Sequence, residues 1–267
     1  AAHMLAVEGP LNTLGVGWLF AYGALSGSPV AALALSLFDG GAISESETVA
    51  MLSGSRLGAS LIVLLVGFVS YTRRQHRPDG IYVGVVALLT TFVVFLPATP
   101  LALALLHTSV FDHIGAANFL TDAALLDAPT DPLIDALDRL PSVLLFAGGV
   151  GTLLGAFWLF DRVLPSLDPP SPRIEQLARR LSRPYLMFLL GALITALTLS
   201  VAISVTLLVP LALKGVVSRR AVIPYVMGAN ITTFVDTFAA ALLLRSDAAL
   251  SVVLVEVSAV LLVSAVV

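Results

Sequence analysis

The chain has 267 residues, of which 58% are hydrophobic and 12% are charged, and its formal net charge at pH 7 is −3. Soluble domains carry about 25% charged residues, so this composition is typical of an integral membrane protein. The apolar stretches are too long and unbroken for barrel strands, which predicts an all-α fold. The negative charge argues against nucleic acid as a partner, and the lack of cysteine in the sequence excludes disulfides and thiolate metal sites.

The first part of the chain predicts a re-entrant helical hairpin followed by two membrane crossings. Residues 11–38 are apolar but are interrupted by Ser-Gly-Ser-Pro at 26–29. Each half is therefore too short to cross a bilayer, which takes about 20 residues. Gly and Pro free backbone groups at such a tip, which favours a re-entrant hairpin over a single straight helix. Crossings are expected at 47–71, with an interruption at 54–58, and at 81–107, with a kink near its two prolines.

The same signature returns late in the chain, after an acidic segment and a basic, Pro-rich one. A single crossing at 141–160 lies between these two segments. The predicted organisation is a tag remnant and N-terminal segment at 1–10; repeat 1 at 11–107; an extracellular segment at 108–140; a linking helix and cytoplasmic loop at 141–184; and repeat 2 at 185–267, with its hairpin at 185–213 and its helices at 220–244 and 249–267.

One constant offset along the chain aligns the two repeats without a gap, and the matches include Gly and Ser at the hairpin tip, at the hairpin exit and in mid-helix. The most specific identities are Gly17/Gly191, Ser26/Ser200, Gly41/Gly215, Ser44/Ser218 and Gly54/Gly228. The unpaired crossing makes the second repeat run in the opposite direction. Arg and Lys then fall on the cytoplasmic side if the N-terminus lies outside. We therefore expect two inverted-topology repeats whose hairpin tips meet near the midplane, where transporters of this type place their site.

A polar cluster, Gly-Ala-Asn-Ile-Thr-Thr-Phe-Val-Asp-Thr-Phe at 228–238, lies within an apolar run from 221 to 244. Polar side chains at hydrocarbon depth are costly unless they face protein or water, so such a cluster indicates a functional site. A weaker copy, Gly-Ser-Arg-Leu-Gly-Ala-Ser, occupies 54–60. Glu256 also lies in an apolar run, where a contact with a partner helix, a contact with a missing C-terminal segment or a coupling role is expected.

These motifs resemble the sodium–phosphate cotransporter family, the type II transporters and their bacterial relatives. In that family each of two inverted repeats has a Gln-Ser-Ser-Ser hairpin tip followed by Gly-Ala-Asn-Ile-Gly-Thr-Thr. Here Thr232 stands where the family has Gly, Arg56 replaces Asn in repeat 1, and Leu25 and Leu199 replace Gln. The resemblance implies a fold of two re-entrant hairpins with discontinuous transmembrane helices. It also implies transport of phosphate or a similar small anion, with Na⁺ as co-substrate and with no other cofactor.

The predicted site combines the two hairpin tips with the motif that follows each of them. Serine and threonine hydroxyls can donate to phosphate or offer oxygens to Na⁺, and broken helices add free backbone groups. The residues expected to bind substrate are Ser26, Gly27, Ser28, Arg56, Ser200 and Asn230. The residues expected to bind the cation are Thr198, Asn230, Thr232, Thr233 and Asp236. No other metal site is expected, and without a nucleophile–base pair the sequence predicts no enzyme.

Arg56 aligns with Asn230 by the repeat, and three roles stay open for it. It grips phosphate through two hydrogen bonds, it replaces a bound Na⁺ as a fixed cation, or it forms a purely structural pair with Asp236. Asp236 is in addition a candidate for a protonatable or Na⁺-binding carboxylate.

Three functions follow from these alternatives. They are a Na⁺-coupled secondary transporter of phosphate or a related anion that works by alternating access, a Na⁺-independent anion exporter or channel, and a non-transporting membrane subunit with the same fold. The expected setting is the plasma or inner membrane, with the lipid bilayer as a partner and the homodimer as one candidate assembly.

Overall fold

The computed structural model describes residues 9–73, 79–108, 110–111, 141, 144, 183–213 and 217–267. The chain divides into two compact units, Ala1–Ala116 with Pro170–Val267, and Ala117–Pro169. Within the described ranges, every regular element of the first unit is an α-helix, which confirms the all-α prediction. The helices are α1 (Pro10–Ala24), α2 (Ser28–Asp39), α3 (Glu45–Arg73), α4 (Asp79–Leu106), α5 (Pro184–Thr198), α6 (Val201–Thr206), α7 (Leu208–Leu213), α8 (Arg219–Thr232), α9 (Phe234–Leu243) and α10 (Asp247–Val266).

Four spans of the described chain are long and apolar enough to cross a membrane, judged by length and composition. They are Glu45–Val69, Asp79–Leu106, Arg219–Leu243 and Asp247–Val266. The third span consists of α8 and α9, which meet at Thr233. The protein is therefore an all-α protein of the membrane-embedded type. The segments expected at 108–140 and 141–184 lie almost wholly outside the described residues.

Two equivalent helix breaks interrupt the described chain, one at Leu25 after α1 and one at Leu199 after α5. Both residues adopt the left-handed conformation, with φ of 50° and 49°, and the repeat offset aligns one with the other. This conformation costs a non-glycine residue about 1–2 kcal/mol, so packing around each break has to hold it. After the first break, Pro29 is the second residue of α2, where its φ is already suited to a helix. After the second break, the Ser200 hydroxyl caps α6 by accepting a hydrogen bond from the Ile203 amide at 3.3 Å.

Glycines bring α1 against α3, and α5 against α8, at backbone distance. A Cβ added to any of four glycines would overlap a carbonyl oxygen of the facing helix. The four contacts are Gly17 on Met51, Gly54 on Leu14, Gly191 on Tyr225 and Gly228 on Phe188. The repeat offset converts each of the first two contacts into one of the last two. The two helix pairs thus share one packing arrangement, in which small residues allow close approach.

The expected interruption of the crossing at 54–58 is wrong, because α3 is a continuous helix from Glu45 to Arg73. The glycines there serve packing: a Cβ at Gly58 would lie 2.5 Å from the Trp18 carbonyl oxygen of α1. In the equivalent span of the second half, Thr233 between α8 and α9 keeps helical dihedral angles, with φ of −59° and ψ of −22°. Helix α4 includes both Pro97 and Pro100, and the kink expected near them stays a prediction.

Candidate functional site

The two helix breaks lie against each other. The Ser28 hydroxyl, at the start of α2, donates to the Leu199 carbonyl at 3.3 Å. Between the breaks is a cavity of about 10 Å³. This is about the room that one water molecule needs. Its lining is Ser26, Gly27, Ser28, Arg56, Ala59, Ser60, Thr91, Ser200, Val201, Ala202, Asn230 and Thr233.

Arg56 is the charged residue of this lining, and its side chain is only 4% exposed. Its Nη1 donates to the Thr233 hydroxyl at 2.9 Å. Its Nη2 donates to Asp236 Oδ1 at 3.1 Å and also to the Thr237 hydroxyl. The guanidinium lies 5.4 Å from the ring centre of Phe234, a cation–π distance. Its Nε is buried and has no hydrogen-bond partner among the described residues, so one donor of the cation is unused.

Asp236 gives the guanidinium its counter-charge. The carboxyl is 11% exposed, and its Oδ1 accepts hydrogen bonds from Arg56 and, at 2.8 Å, from the Thr237 hydroxyl. The Ser28 hydroxyl lies beside the same carboxyl. The other oxygen, Oδ2, is buried and accepts no bond within the described part of the chain. The site therefore holds a neutral pair with one unused donor on the arginine and one unused acceptor on the aspartate.

Asn230 on α8 contacts α4 through Thr91. Its Nδ2 donates to the Thr91 hydroxyl oxygen at 3.1 Å. The Thr91 hydroxyl itself donates to the Ala87 carbonyl at 2.9 Å. The same hydroxyl lies 3.4 Å from Asn230 Oδ1, and because a carbonyl oxygen has two lone pairs this oxygen can still accept a further bond. Asn230 is 2% exposed, so this acceptor faces the protein interior.

The tip residues owe their position to close packing on α3. A Cβ at Gly27 would lie 2.9 Å from the Ser55 carbonyl oxygen, so only glycine lets the first tip approach α3 this closely. At the second tip the Ser200 oxygen accepts the Ile203 amide, which leaves the hydroxyl proton of Ser200 free to donate.

The structure brings together the six residues predicted to bind substrate, since Ser26, Gly27, Ser28, Arg56, Ser200 and Asn230 all line the cavity. Of the predicted cation ligands, Asn230 and Thr233 line it and Asp236 contacts Arg56. The other two do not reach it. The Thr232 hydroxyl donates to the Gly228 carbonyl at 3.0 Å, and the Thr198 hydroxyl donates to the Ile194 carbonyl at 2.8 Å. The Thr198 hydroxyl also lies 3.2 Å from the Ser200 carbonyl oxygen, across the second break. The binding roles of the whole set stay predictions.

Three polar residues of this region were not among the predicted ligands: Ser60 and Thr237, which lie within the two polar motifs, and Thr91. Thr237 belongs to the same polar run as Asp236, and its spacing is the signal that identifies it. Thr91 follows Thr90 in the middle of an apolar helix, which is a weaker signal of the same kind. The described residues contain no group of three or more His, Cys, Asp or Glu side chains that could hold a metal ion.

No family model, no curated protein and no solved structure matches this chain, so the site is interpreted from its geometry.

Proposed function

We propose that the protein is a secondary active transporter that moves phosphate or a related small anion across the cell membrane, coupled to Na⁺, by alternating access. The observation that carries this proposal is the buried Arg56 in a cavity between two equivalent helix breaks. Buried ionisable groups in membrane-spanning helices usually mark a pathway for ions or substrates. The proposal includes two inverted repeats, re-entrant hairpins and an N-terminus outside.

Contacts at the helix ends support the inverted arrangement. At the start of α4, Asp79 accepts a hydrogen bond from Arg219, at the start of α8, at 3.0 Å. The end of α3 lies at the same place, because Gly67 of α3 packs against Gly80 of α4. Helix α8 therefore begins where α3 ends. The first residues of these two helices, Glu45 and Arg219, are equivalent by the repeat offset, so this contact favours copies that run in opposite directions.

The chemistry of the cavity suits a small oxyanion. Arg56, with its unused Nε, and the hydroxyls of Ser26 and Ser200 belong to residues of its lining. The Ser28 hydroxyl would join these donors once its bond to the Leu199 carbonyl breaks. The N-terminus of α2, a helix of 12 residues, also begins at the cavity and contributes a partial positive charge. Arg56 would bind such an anion in competition with Asp236, its present partner.

The size of the cavity requires movement. A volume of about 10 Å³ has no room for a tetrahedral oxyanion. The two tips would have to separate for substrate to enter from either side. This separation is the alternating-access step of the proposal, and the hydrogen bond from Ser28 to Leu199 is one contact that would break. For the cation, the candidate oxygens are Asp236 Oδ2, which accepts no bond within the described part of the chain, and the amide oxygen of Asn230, which lies 3.4 Å from the Thr91 hydroxyl.

One observation favours a second candidate, a Na⁺-independent anion exporter or channel. The hydroxyl oxygens of Thr233 and Thr237 and one carboxylate oxygen of Asp236, which a Na⁺ ion at this position would need, are bonded to Arg56. In this alternative the guanidinium is a fixed internal cation, and no sodium binds there.

Radiolabelled phosphate uptake into proteoliposomes tests both candidates. We expect uptake that requires an inward Na⁺ gradient and that Arg56→Ala abolishes. The matched control is Arg220→Ala, which removes an exposed arginine at the start of α8. Equal uptake with and without Na⁺ would select the Na⁺-independent candidate. Uptake no higher than in protein-free liposomes would reject phosphate transport in either form.

A further inference from the structure

Glu256 is a buried carboxyl that the proposed anion site leaves unused. It lies in the middle of α10 and is 1% exposed. The Ser53 hydroxyl of α3 donates to its Oε1 at 2.9 Å. Its Oε2 is buried, and no donor from the described ranges reaches it. A carboxylate oxygen left without a donor in an apolar interior is costly, whereas the protonated acid is not charged.

The charged groups around Glu256 connect it to the cavity. Arg56 follows Ser53, whose hydroxyl donates to Glu256, by three residues on α3, and residues three apart are neighbours on a helix surface. Helix α9 contributes Asp236, which is bonded to Arg56. The other described charged residues on the elements that pack against α10 stand near the ends of those helices: Asp39, Glu45, Glu47, Arg73, Asp79, Arg219 and Arg220, with Asp247 at the start of α10 itself.

The charges of this interior group do not balance if all its members are ionised. Arg56 contributes one positive charge, whereas Asp236 and Glu256 contribute one negative charge each. One proton on Glu256 makes the group neutral. An anion that enters beside Arg56 adds negative charge again, and it binds more easily when Glu256 is already neutral. Proton binding and anion binding therefore favour each other, and linkage makes the effect reciprocal.

We propose that Glu256 is a proton-binding site that couples anion binding at Arg56 to the uptake of one proton, which crosses the membrane with the anion. Oε2 takes the proton from water on the side to which the cavity is open, forming an O–H bond. It returns the proton to water on the other side when the anion leaves. This inference rests on the proposed transport function and adds a proton to its coupling ions.

Infrared difference spectroscopy of the purified protein tests whether Glu256 holds a proton. The probe is the carbonyl stretching band of a protonated carboxyl, followed against pH with and without inorganic phosphate. The variants are Glu256→Gln and, as a matched control, Glu45→Gln, which makes the same change at an exposed position. We expect a band in the wild type and in Glu45→Gln that is absent in Glu256→Gln. With phosphate, the band should persist to higher pH.

Phosphate binding measured against pH completes the test. For one coupled proton, the affinity of the wild type for phosphate should fall by about tenfold for each unit that the pH rises. This fall is in addition to the change caused by the titration of phosphate itself. Glu45→Gln keeps this dependence, whereas Glu256→Gln binds phosphate without it; the titration of phosphate is common to both and cancels. The coupling alone is overturned if the wild type lacks the band. It is also overturned if phosphate binds but does not shift the pH at which the band disappears. Absence of phosphate binding overturns the proposed function as well.

Discussion

The ion pair between Arg56 and Asp236 permits a quantitative test of what holds the site together. Arg56→Met removes the guanidinium and keeps an unbranched side chain in its place. It leaves Asp236 11% exposed and without its counter-charge, and it leaves Thr233 without the donor at 2.9 Å. Removing one partner of a buried pair costs about 3–5 kcal/mol, because the remaining charge is uncompensated. We expect a loss of this size in the free energy of unfolding.

The double variant Arg56→Met/Asp236→Asn measures the coupling. With both charges removed, it should recover about 2 kcal/mol of the loss, since residues in direct contact couple by about 0.5–3 kcal/mol. The assay is reversible unfolding in mixed micelles, monitored by circular dichroism. The control Arg220→Met changes an exposed arginine and should stay within about 0.5 kcal/mol of the wild type.

The same variants separate a structural arginine from one that binds substrate. If Arg56 only neutralises Asp236, the double variant is stable and still takes up phosphate. If it grips the anion, the double variant is stable and inactive, and this is the result we expect. Losses that simply add in the double variant would refute the pairing argument, because they would mean that neither charge depends on the other.

Two further predictions concern packing and the amide in the cavity. Gly228→Ala should lower the free energy of unfolding by about 1–3 kcal/mol, because the new Cβ overlaps the Phe188 carbonyl oxygen and the backbone has to shift. The control is Gly23→Ala, where no atom lies within 4 Å of the added Cβ. This variant should not lower the thermal stability in detergent. Asn230→Ala should abolish phosphate uptake in proteoliposomes, while the protein still elutes as a folded species. It should stay folded because the variant removes one buried amide and leaves the Thr91 hydroxyl its bond to its own helix. Unchanged uptake would exclude Asn230 from the site.

The positions of the helix breaks could be predicted from the sequence because the signals there are local. Gly27 and Pro29 indicate the first break directly. At Ser200 the local sequence is apolar and gives no such signal, so the second break is predicted from its alignment with the first by the repeat offset. The structure places left-handed residues at Leu25 and Leu199, one residue before each tip serine. Leucine is a poor residue for this conformation, so composition alone gives no signal at either position.

The continuity of α3 could not be predicted in the same way. A glycine within an apolar run fits either a broken helix or a close contact between helices. At Gly54 the backbone of α1 approaches from elsewhere in the chain, and no local pattern announces it. Thr91 is a similar case, because its role depends on Asn230, which is 139 residues away. Residues with a role defined by a distant partner are those that a local pattern fails to identify.

The two halves share their backbone contacts but differ in the side chains that they bring to the centre. Position 56 and its equivalent, 230, both line the cavity, yet one is a buried cation and the other a neutral amide. Asp236, the counter-charge of the cation, comes from the second half alone, since the equivalent position, 62, is an isoleucine. Packing explains why the glycines are repeated, because each copy has to bring two helices to the same distance. It does not explain a buried Arg–Asp pair, since well-packed apolar side chains of similar volume are often as stabilising. The proposed binding of an anion would account for this asymmetry of charge, which packing does not explain.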